Sequence, residues 1–201
     1  MFLRPLSELE FSHVETFCKE FSEGIRVEYK SGMISNIPKA ISAFANTLGG
    51  ILIIGVEVEK VSNRVKFPIK GMNKEKGIED KIINSSLKGI YPSIVPEVRV
   101  LDVPDQKDKV IVVIKVHESI EAPHAIQNSS RIYIRTGSQS QPYELAEIDR
   151  IEYLLKRRSK PEALKQDMMR MSEERFSRFI KPKSSYRLKH RRCQVFTCDF
   201  R

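Results

Sequence analysis

Four acidic residues, Glu23, Glu28, Glu57 and Glu59, fall at the ends or polar faces of two expected strands. Carboxylates grouped in this way can hold Mg²⁺ or Mn²⁺ for phosphodiester cleavage. Taken alone, the residues favour a plainer reading, in which these are surface acids paired with Arg26, Lys30 and Lys60. A second set is basic. Arg26, Lys30, Arg131 and Arg135 sit on alternating stretches with Tyr29 and Tyr133 interleaved, a combination able to meet a phosphate backbone. The histidines lack a serine or cysteine partner in any recognisable nucleophile pattern. Cys193 and Cys198 are five apart with His190 nearby, which matches no firm zinc spacing, so the three cysteines, Cys18 included, read as reduced thiols.

The stretch AISAFANTLGGILIIGV invites a phosphate-loop reading, but its direction is wrong. Such a loop runs strand, glycines, then Gly-Lys-Ser/Thr opening a helix. Here a helix comes first, no lysine follows the glycines, and the helix offers its negative C-terminal end. Gly49 and Gly50 are therefore expected to close a helix and turn the chain into a strand.

Charge is unevenly distributed along the 201 residues. Residues 1–150 hold 20 Lys/Arg and 20 Asp/Glu, whereas residues 151–201 hold 15 and 6, so the whole surplus of +9 lies in the last quarter. Such a segment suits a polyanion such as nucleic acid, or forms a solvated helix and tail. The longest uncharged apolar run, Ile51–Val56, is far shorter than the ~20 residues of a membrane span. The start MFLRPLSELEF has no secretory apolar core, so a cytoplasmic location is expected.

The elements that would position these residues follow from periodicity. Helices are expected over 8–22, over about 37–48 on the stripe Ile37, Ile41, Phe44 and Leu48, over 74–88, and over 142–158. Strands are expected at 25–30 with a polar face of Arg26, Glu28 and Lys30, at 51–58 buried on both faces, and at VKFPIK as a short edge. A hairpin is expected from 97–103 and 109–117, and a further strand at 131–135. A charged, Met-rich helix is expected over about 161–180. The fold class is α+β, a twisted mixed sheet flanked by helices, with a domain at 1–155 and a basic helical arm and tail at 156–201.

The segments RVEYK, IPKAISAFANTLGGILIIGV, APHAI, RIYIRTGSQSQPY and ELAEIDRI, in this order and spacing, resemble the Schlafen AlbA-type domain over about residues 14–155. The resemblance implies DNA binding, often within transcriptional regulators. It also implies kinship with Schlafen ribonucleases, which use three carboxylates and a divalent metal to cut structured RNA. Glu23 and Glu28, five apart, stand at two of those positions. The third is the second acid of a pair after IGV, where this chain has Val58 between Glu57 and Glu59. The metal set so implied is Glu23, Glu28 and Glu57, with Mg²⁺ or Mn²⁺ as cofactor only if the chain is a nuclease. Because the animal enzymes clamp RNA between two core copies, a homodimer is implied for a single copy. An older divergent AAA ATPase label for the family finds no lysine-bearing phosphate loop here.

Three functions follow as expectations. The first is a nucleic-acid-binding module using Arg26, Lys30, Arg131 and Arg135 in the core and Lys156, Arg157, Arg158, Lys189, Arg191 and Arg192 in the arm. The second is the metal-dependent endoribonuclease, using Glu23, Glu28 and Glu57 or Glu59. The third is a scaffold, with Leu164, Met168, Met171 and Phe179 as a pairing seam.

Overall fold

A computed structural model describes residues 5–59, 64–137, 143–158, 166, 169 and 170. Chain contacts divide it into two compact units, Met1–Pro161 and Glu162–Arg201. In the second unit residues 166, 169 and 170 are helical. The seam at 164, 168, 171 and 179, the cations at 189, 191 and 192, and Cys193, Cys198 and His190 lie outside the described residues.

The first unit is α+β. A 3₁₀ turn at Leu6–Glu8 precedes α1 (Phe11–Glu20), β1 (Val27–Lys30), α2 (Ile37–Ala45), β2 (Gly50–Ile54), β3 (Met72–Asn73), α3 (Ile78–Gly89) and β4 (Ile90–Tyr91). The hairpin β5 (Glu97–Asp102) and β6 (Lys109–Val116) follows, then β7 (Ala125–Ile126), β8 (Arg131–Arg135), β9 (Tyr143–Leu145) and a helix α4 over 148–158. One sheet pairs β1 parallel to β2, and β2, β3 and β5 antiparallel to β6. A second, antiparallel sheet runs β4-β7-β8-β9.

β2 is buried throughout, as its uninterrupted apolar sequence predicts. Alternation splits the first sheet's side chains between two apolar layers. Val27, Tyr29, Ile51, Ile53, Ile111 and Val113 join Val14, Phe17 and Cys18 of α1 on one side. Leu52, Ile54, Val112 and Ile114 join Ile37, Ile41 and Phe44 of α2 and Ile82 of α3 on the other. The glycine pair is a joint: Gly49 has φ +66°, and its N–H donates to Phe44 O at 2.9 Å. A Cβ on Gly50 would lie 2.7 Å from Arg26 O and closer still to the Phe44 ring. Only glycine lets the helix end sit so near the sheet.

Several expected elements differ. The strand begins at Val27 rather than 25, and its polar face is only partly solvated: Arg26 is exposed, but Lys30 is half-buried and Glu28 is buried against Arg135 of β8. Tyr143–Leu145 is not the first turn of a helix but a strand paired to β8, tertiary pairing outweighing local helix propensity. VKFPIK forms no strand, and only Val65 makes a bridge, to Val58. Leu48 lies past the end of α2 and, like Leu87, is exposed.

Candidate nucleic-acid interface

Val27 and Tyr29 point into the α1 layer, so Glu28 between them points the opposite way, toward α2 and β8. There it meets Arg135, which ends β8. Glu28 is 1% and Arg135 4% exposed, and Nη1 of the arginine lies 2.5 Å from Glu28 Oε2. Arg135 also donates from Nη2 to Gly24 O at 2.6 Å and from Nε to Ile25 O at 3.3 Å, with its guanidinium 4.5 Å from the Phe44 ring centroid. Lys30 Nζ stands 2.8 Å from Glu28 Oε1, an ion-pair distance off the hydrogen-bond direction. Arg135 and Lys30, both expected to contact a phosphate backbone, are thus bound to Glu28, and the buried arginine presents no surface to a ligand.

The other acids are elsewhere. Glu23 accepts the Tyr29 N–H at 2.9 Å and lines an open cleft with Tyr29, Lys30, Ser31, Val56, Glu57 and Val58. Glu57 is exposed and 3.9 Å from Lys70. Glu59 is exposed, with its backbone N–H donating to Arg64 O. So Glu23 and Glu57 share a cleft, while Glu28 faces the α2 layer. Among the described residues no three Asp, Glu, His or Cys side chains group so as to hold a metal ion. As arranged, with Glu28 clamped between two cations, these carboxylates do not fit a divalent ion.

A polar clasp at the end of α2 escaped the sequence reading. Asn46 Nδ2 donates to the carbonyls of His124 and Tyr133, each at 2.9 Å, and Asn46 Oδ1 accepts the His124 N–H at 2.8 Å. Thr47 Oγ1 accepts the Arg135 N–H at 2.9 Å. The His124 ring lies between Pro92 O and Ser119 Oγ, both at 2.7 Å, and burial pulls its pKa below the ordinary value. Arg157 closes the clasp from α4, with Nη1 2.6 Å from Glu118 Oε1 and Nη2 donating to Ser119 O at 3.0 Å. Arg157 therefore pins its helix to the core rather than reaching outward. The signal was the polar pair Asn46-Thr47 between apolar runs, where a buried amide must find partners.

The remaining expected cations among the described residues are at the surface. Arg26, Arg131 and Arg158 are exposed, and exposed Lys156 is 3.7 Å from Glu152. Lys39, not singled out from sequence, holds its ammonium 4.4 Å from the Tyr133 ring centroid. No described helix is long and apolar enough to cross a membrane.

A family model described as "Schlafen, AlbA_2" matches residues 23–144. Among solved structures, the N-terminal domain of a RecG-related protein from Nitrosomonas europaea has the same fold. It superposes with a TM-score of 0.50 at 20% identity, over 70% of this chain and 97% of that one. No curated protein matches in sequence.

Proposed function

The chain belongs to the Schlafen AlbA_2 family, and we propose that it is a nucleic-acid-binding module. The carrying observation is where its charge lies: a neutral first 150 residues and a +9 surplus in residues 151–201. A cationic segment of this density gains free energy from counterions released off a nucleic acid, without any need to read bases. Binding is favoured over cleavage because Glu28, one of the three acids the family resemblance implies, is held by Arg135 and Lys30.

Labelled transfer RNA and duplex DNA, each incubated with the intact chain with and without Mn²⁺, test this reading. A salt-sensitive complex without strand scission is the expected result. No complex with either polymer at low salt would overturn it. Mn²⁺-dependent scission, lost in a folded Glu28→Gln variant, would instead make the chain an endoribonuclease.

A further inference from the structure

The neutral balance of the core conceals a segregation. Residues 29–56, 81–96 and 122–137 contain six Lys/Arg and no Asp or Glu. These segments are far apart in sequence, yet they build one region. α2 packs on β8 and on α3, and β4, β7 and β8 are hydrogen-bonded neighbours. All twenty acids of residues 1–150 lie outside these segments.

Of the six cations, Lys30 and Arg135 meet Glu28, and Lys81 meets Glu75. Lys88 and Arg131 are exposed and have no carboxylate at ion-pair distance among the described residues. They belong to one junction. Gly89, next to Lys88, accepts the Gln127 N–H at 2.9 Å through its carbonyl, and Arg131 pairs with Ile126 in the strand register. Pro38, next to Lys39, has ring atoms within 3.0 Å of where a Cβ on Gly89 would lie. Two residues along β8 from Arg131, Tyr133 carries the Lys39 ammonium over its ring. Cations bordering an aromatic, on segments that themselves carry no acid, match the chemistry of a sugar-phosphate backbone.

We propose that this junction of α2, α3 and β8, with Lys39, Lys88 and Arg131 as its cations, is the core's own docking surface for the phosphate backbone of a nucleic acid. It rests on the nucleic-acid reading and adds a place in the core to it. The core surface fixes where the strand crosses the domain, and the basic last quarter supplies long-range attraction.

The test is titration of labelled single-stranded RNA and duplex DNA with the intact chain and with Lys88→Glu/Arg131→Glu. The control is Lys66→Glu/Lys107→Glu, which makes the same change in net charge beside the acids Glu57, Glu59, Asp105 and Asp108. All four positions are exposed, so thermal melting should leave every variant folded. The Lys88/Arg131 variant should bind about tenfold or more weakly, with the log-affinity against log-salt slope reduced by about 2. The control should stay close to wild type. Equal losses in the two variants would overturn the surface while leaving the nucleic-acid reading intact, and so would unchanged affinity in the first. Failure of the wild type to bind either polymer would overturn both. Vesicles of anionic lipid displacing the RNA through the same two residues would make the surface a membrane contact and overturn the proposal. Which polymer loses more affinity identifies the preferred strand form.

Discussion

β2 lies between two apolar layers, with Ile51 and Ile53 on one side and Leu52 and Ile54 on the other. β8, in the second sheet, is held by directed bonds instead, to the residues that follow α2 (Asn46 to Tyr133 O and Thr47 to the Arg135 N–H) and to β1 (Arg135 to Glu28). Apolar contacts are non-directional and tolerate a change of shape that keeps volume. A buried polar group needs its partner in place, and its desolvation cost is left uncompensated when that partner goes. The second sheet should therefore be the less forgiving attachment.

Near-isosteric substitutions expose that difference. Arg135→Met leaves Glu28 buried with only Lys30 beside it, and should lower unfolding free energy by about 3–5 kcal/mol in urea denaturation. A loss below 1 kcal/mol, on the order of a surface pair, would mean that water or rearrangement rescues the carboxylate. Asn46→Leu strands the His124 N–H and two carbonyls, for an expected loss of about 2–4 kcal/mol on the same assay. Ile53→Leu, in the apolar layer, should cost less than about 1.5 kcal/mol. If the Ile53 substitution proved worse than the Asn46 one, the contrast between the two attachments would collapse.

His124 gives a smaller, pH-dependent term. Burial depresses its folded-state pKa, so as pH falls the unfolded chain takes up the proton before the folded one. This contribution to stability is intact above the ordinary histidine value of 6.5 and is lost progressively below it. Melting temperature should fall between about pH 7.5 and 5.5, and part of that fall should vanish in His124→Gln. An identical pH dependence in the variant would remove His124 from the account.

Much of this architecture was legible. The stripe Ile37, Ile41, Phe44 predicted α2, and the run after Gly50 predicted a strand buried on both faces. Alternation over 25–30 was also visible, but alternation says only that two faces differ. It does not say that the polar one is wet throughout, and here Arg135 of the second sheet meets Glu28, which is buried while Arg26 stays exposed. Arg135 looked like a surface cation for the same reason, since its partner is 107 positions away in the chain. Tyr143–Leu145 carried helix-favouring residues and became a strand because β8 offered an edge. The basic junction was hidden in a neutral total, and it emerged once the fold brought three acid-free segments together.

The central claim is that this chain binds nucleic acid electrostatically. Its most direct test is the affinity of the intact chain for one labelled RNA across a salt series. The account predicts a linear fall of log affinity with log salt, with a slope of several units set by the phosphates neutralised. A flat line, or no binding at the lowest salt, would contradict it.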